Sequence, residues 1–199
     1  DRRVIAFDVP ITQAPQPFNG IEINGWANND LIDPVGSWPP EAFARLDSDA
    51  VRPPFFVENY RLQTVDELLA LRDGELATCR AVTDAASALM QRESWDLALV
   101  CFQATHIVGH KMWDDGGVAG AVPASRRDAF DGALKSAYVA CDAAVGRLVE
   151  AAAQGHPRAV EHDPEVVGRD VQCLTDFFTG NVINLAKEEN PGDPFGQFA

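Results

Sequence analysis

Positive charge is scarce in this chain. Lys and Arg number 16 against 30 Asp and Glu over 199 residues, a formal charge of −14. Binding a nucleic-acid polymer requires clustered Lys and Arg on the phosphates, so that class of partner is not expected. A small phosphorylated molecule stays compatible with the composition, because bound divalent cations supply positive charge locally. Long apolar runs are also missing. None approaches the ~20 residues that cross a bilayer, so no membrane partner is expected. The start, Asp1-Arg2-Arg3-Val4, has neither an initiator Met nor a signal-peptide pattern. We expect a cytoplasmic protein whose sequence here begins partway through a longer one. The four cysteines, Cys79, Cys101, Cys141 and Cys173, include no Cys-x-x-Cys pair. They read as buried, reduced thiols rather than a zinc cluster. The chain also lacks a Gly-x-Ser-x-Gly elbow, a P-loop and a Cys beside a His in a nucleophile motif.

What is present divides unevenly along the chain. Residues 3–7 read as a short apolar strand ended by Asp8-Val9-Pro10. The following stretch, to about residue 63, holds most of the 13 prolines and the turn signals Asn19-Gly20 and Asn24-Gly25. It reads as an ordered, aromatic cap-like segment over 10–63. Ile21-Glu22-Ile23 alternates like a small edge strand. Trp26, Trp38, Phe43, Phe55, Phe56 and Tyr60 suit packing better than a substrate cage.

Thr64-Val65-Asp66-Glu67 is a capping box, and a helix should follow to about Arg92. A buried strand over 95–102 comes next. Ser125 with Asp128 opens a second long helix whose apolar stripe is Phe130, Leu134, Tyr138, Cys141, Val145 and Leu148. It should stop near Gln154-Gly155. Asp163-Pro164 suggests a third helix to about Phe178, closed by Gly180, and an irregular tail. Residues 1–155 therefore form an α/β core portion, and 156–199 a helical extension with a tail. Strand, helix, strand, helix implies a mostly parallel or mixed sheet sandwiched by helices.

The chemistry concentrates at the end of the 95–102 strand. Thr105-His106-Ile107-Val108-Gly109-His110 carries two of the four histidines, at the place where open α/β sheets converge on a crevice. On a helix this spacing puts both rings on one face, where they can grip a metal ion. On a turn it can fold both toward one point. Gly109, just before His110, favours the turn. Two imidazoles suit zinc, manganese or iron, with carboxylates completing the set. The competing reading is that both rings only hydrogen-bond nearby backbone. Asp114 and Asp115 read as a solvated turn beside Gly116-Gly117. His156, His162 and Asp163 read as surface loop residues. Thr12 and Thr105 are hydroxyl candidates by position alone.

Several segments resemble the type I phosphodiesterase/nucleotide pyrophosphatase branch of the alkaline phosphatase superfamily. They are Val4–Thr12 with Asn19–Trp26, Ser37-Trp38-Pro39-Pro40, Trp95 through Trp113, and Tyr138, Asp142 and Gly146 on one helix. The resemblance spans roughly residues 3–153. It implies an alkaline-phosphatase-like α/β fold and metal-dependent hydrolysis of phosphate esters, with zinc or manganese as cofactor and a small phosphorylated substrate. A homo-oligomer is compatible with it. By the resemblance His110 is a metal ligand, and His106 stands where the family usually has a metal-binding Asp. No catalytic residue is assigned, because the family's nucleophile segment would lie upstream. The expected Asp-His-Gly strand is replaced by Gly155-His156-Pro157-Arg158. The alternative is a non-catalytic binding or assembly relative that kept the fold and lost the nucleophile.

Overall fold

A computed structural model describes residues 2–10, 14–27, 35–49, 61–155, 172–176 and 180–186. Strand β1 (Val4–Phe7) pairs in parallel with both β2 (Gly20–Asn24) and β4 (Leu97–Phe102). β3 (Gly36–Trp38) lies antiparallel on the outer side of β2. β5 (Gln172–Asp176) and β6 (Gly180–Ala186) form a hairpin whose β6 is antiparallel to β4. The order is β3-β2-β1-β4-β6-β5, a mixed sheet rather than a mostly parallel one.

Side chains in the three parallel strands follow the two-residue period of a pleated sheet. Ile5 and Phe7, Ile21 and Ile23, and Ala98 and Val100 are buried, and the residues between them are mostly half-buried. Trp26, fully buried, stands edge-on to Phe7 with ring centroids 5.6 Å apart. Gly20 opens β2 at φ 157°, and a Cβ there would lie 1.9 Å from the Val4 carbonyl oxygen. Only glycine lets β2 start this close to β1.

Helix α1 (Glu41–Asp49) packs on β2 and β3. The predicted capping box opens α2 (Val65–Arg92): Thr64 Oγ1 accepts from Glu67 N–H, and Glu67 accepts from Thr64 N–H. Glu67, also bound to Arg61, is held down near a pKa of about 2 by Arg61 first and Thr64 second. After β4 come α3 (Ala104–Met112), a 3-10 turn (Asp115–Gly117), α4 (Ala124–Asp131) and α5 (Ala133–Gly155). Helices α2, α3 and α5 pack on one another.

Several expectations are corrected. β2 is interior, because β3 covers its outer side, and with β3 and α1 it draws part of the 10–63 segment into the sheet layer. The second long helix is two helices broken at Gly132, and it starts after Pro123, not on a Ser125 cap. Its buried stripe is Ala133, Ala137, Cys141, Ala144, Leu148 and Ala151, while Tyr138 is half-exposed. Small residues let α5 approach its neighbours closely, so they take the inner face. The third helix is replaced over 172–176 by β5, and Gly180 begins β6. Cys173-Leu174-Thr175 and Val182-Ile183 are short, β-prone segments that a paired edge turns into strand. The remainder of that helix lies outside the described residues. Among the described residues no helix is long and apolar enough to cross a membrane.

Candidate metal centre

The sheet order itself defines a crevice. From β1 the chain moves to β2 on one side, then returns through α2 to β4 on the other. Ligands in α/β sheets sit beyond the carboxyl ends of strands at such a reversal. Here those ends carry Asp8 after β1, Trp26 and Ala27 after β2, and Gln103 with α3 after β4.

The histidines sit on α3, which corrects the expected turn. Ala104, Ile107, Val108 and Met112 are buried at helical spacing, and this inner face carries the segment through Gly109. His106 and His110 therefore share the opposite side, one turn apart. Their ring centroids are 4.2 Å apart and tilted by 46°. His106 is half-buried and His110 exposed, so the pair faces outward from the packed helices.

The start of α3 is fixed by a buried polar network. Gln103 Nε2 donates to the Ala27 carbonyl (3.0 Å) and to Glu75 Oε1 on α2 (3.3 Å). Glu75 is wholly buried, and its Oε2 has no partner. Burial raises its pKa from the ordinary 4.5 to about 7, against the hydrogen bond from Gln103. On the other side of the crevice Asp8 is buried with φ 52°. Its two carboxylate oxygens accept from Trp26 N–H (2.8 Å) and Ala27 N–H (2.7 Å). Asp8 and Gln103 thus hold the same Ala27 loop from two strands.

Glu75, Asp8 and Gln103 were not singled out by sequence reasoning. Glu75 did leave a signal: it falls between Leu68, Leu71, Thr78 and Val82 on the inner stripe of α2, where a carboxylate is out of place. Asp8 looked like an ordinary strand end.

The other candidates do not join the pair. Asp114 caps the 3-10 turn by accepting from Gly116 N–H (2.7 Å), and Asp115 binds Arg127 through both oxygens (2.9 Å each). Thr105 is buried in the first turn of α3. Tyr138, Asp142 and Gly146 line an exposed face of α5. Thr12, His156, His162 and Asp163 lie outside the described residues. An open cavity of about 320 Å³ begins within a turn of His110, with Trp113, Phe130 and Leu134 against Asp115 and Asp131.

Imidazole is a ligand type that zinc and manganese accept, and two of them stand here one helical turn apart. Among the described residues no group of three His, Cys, Asp or Glu is arranged to hold a metal, so the remaining ligands would come from elsewhere. Comparison with known proteins finds no family model, no curated protein and no solved structure that matches the chain.

Proposed function

We propose that the chain carries part of the metal centre of a phosphate-ester hydrolase with an alkaline-phosphatase-like fold. The observation that carries this reading is the His106–His110 pair on one face of α3, the helix that follows β4. The resemblance of residues 3–153 to type I phosphodiesterases supports it.

Each residue has a definable part. His106 and His110 would hold the ion through neutral ring nitrogens. A bound zinc or manganese ion supplies Lewis-acid stabilisation of the charge on phosphoryl oxygens. Gln103 and Glu75 fix the helix that presents both rings, and Asp8 fixes the opposite lip of the crevice. Trp113 and Leu134 offer an apolar wall for the organic part of an ester. Surroundings this acidic repel an unaccompanied phosphate, which is why a cation belongs in the account. No nucleophile is assigned.

The test is turnover of bis(p-nitrophenyl) phosphate with added zinc or manganese, run on the chain and on His110→Ala. Metal-dependent release of nitrophenol, lost in the variant, is expected. Zinc binding without any turnover would replace this reading with a non-catalytic relative that binds or assembles.

A further inference from the structure

Behind α3, on the side away from the histidines, two thiols meet. Cys79 on α2 and Cys141 on α5 are buried, and their Sγ atoms are 3.6 Å apart. Two further features make the contact more than packing. Cys141 Sγ lies at the amino end of α3, where it accepts from the Thr105 backbone N–H, one of the donors a helix start leaves unpaired. Glu75 lies one turn before Cys79 on the same face of α2, fully buried, with Oε2 unpartnered.

We propose that Cys79 and Cys141 are a redox-active dithiol, a modification site that closes to a disulfide between α2 and α5 on reaction with a small peroxide.

The hydrogen bonds assign the roles. Cys79 and Cys141 share one S–H···S bond, and the Thr105 N–H reaches Cys141 alone; Cys79 first and Thr105 after it hold the Cys141 pKa down, which places the proton on Cys79. The same bond, with burial, holds Cys79 up as a thiol. Thiolates form where donors and a helix amino end converge, so Cys141 is the attacking sulfur. It attacks a peroxide oxygen and breaks the O–O bond. The products are the Cys141 sulfenic acid and water, the latter taking the former thiol proton. The sulfur of Cys79 then attacks the Cys141 sulfur as its proton passes to the Glu75 carboxylate. The S–S bond forms, the S–O bond breaks, and the expelled hydroxide takes up a proton as a second water. Two thiols lose two electrons and two protons, and one peroxide becomes two waters.

Burial of both sulfurs favours a peroxide over a bulky disulfide as oxidant. The proposal does not depend on the metal reading, since neither thiol faces the histidines.

The test treats the intact chain with hydrogen peroxide, quenches with acid, and maps cysteines by mass spectrometry after alkylation in denaturant. A Cys79–Cys141 crosslinked peptide, reversed by dithiothreitol, is expected. Cys101→Ser should leave its yield unchanged, because Cys141 already has the Cys79 sulfur 3.6 Å away. Cys141→Ser should abolish it. Glu75→Gln should slow crosslinking at least about tenfold without changing its end point. Recovery of both cysteines as alkylated thiols, or over-oxidation of Cys141 without a crosslink, would overturn the proposal in the unmutated chain. An unchanged rate in Glu75→Gln would remove Glu75 from it.

Discussion

Glu75 is the residue whose ionisation most directly links the site to stability. Its carboxyl releases a proton near 4.5 in the unfolded chain but near 7 when folded. The folded state therefore binds more protons across that interval, and stability falls as pH rises from about 4.5 through 7. Below 4.5 the group is protonated in both states and the penalty vanishes. Glu75→Gln keeps the shape and cannot ionise. It should raise unfolding free energy at pH 8 by up to about 3 kcal/mol and change it little at pH 4. Urea unfolding of both proteins at the two pH values checks this. An equal effect at both would assign the change to packing alone. Asp8 differs in kind: both of its oxygens already accept backbone N–H groups, so its role is to hold the Ala27 loop. Glu75 is marked in the sequence only by its place on the apolar stripe of α2, and Asp8 by nothing, because a lone carboxylate gains its meaning from the partners that folding brings to it.

The elements were unequally legible. The capping box at Thr64 was read correctly because all of its chemistry lies within four residues. The β1 and β4 strands were found because their apolar runs are dense and short. In the sequence, Gly109 points to a turn and outweighs a helical period already visible in Ala104, Ile107, Val108 and Met112, where the structure has α3. Tertiary packing overrides a single weak helix former. Helix α5 carries its core face where the sequence reading puts it, with Cys141 and Leu148 buried and Leu134 and Val145 packed at its margin; Tyr138 is the exception, and the alanines between them are not counted as core in that reading. The alanine stripe yields a prediction. Ala137 is fully buried, so Ala137→Leu should destabilise by about 1–3 kcal/mol through overpacking. Val139→Leu on the exposed side should stay within about 0.5 kcal/mol. Chemical denaturation of the two variants reads the difference, and equal losses would place the alanine face elsewhere.

At the scale of the molecule, the mixed α/β class was readable from the alternation of elements, but the sheet order was not. The reversal at β1, which creates the crevice, depends on contacts between residues far apart in sequence. The β5–β6 hairpin was missed for the same reason, as its strands are defined by pairing with β4. Half of the proposed site was therefore legible as residue types, and its geometry only as a fold. The histidine pair remains the centre of the account, and calorimetric zinc titration of the intact chain tests it most directly. The account predicts saturable binding near one equivalent, weakened at least about 100-fold in both His106→Ala and His110→Ala with folding retained. Zinc binding of equal strength in the chain and in both variants, or none in the folded chain, would contradict it.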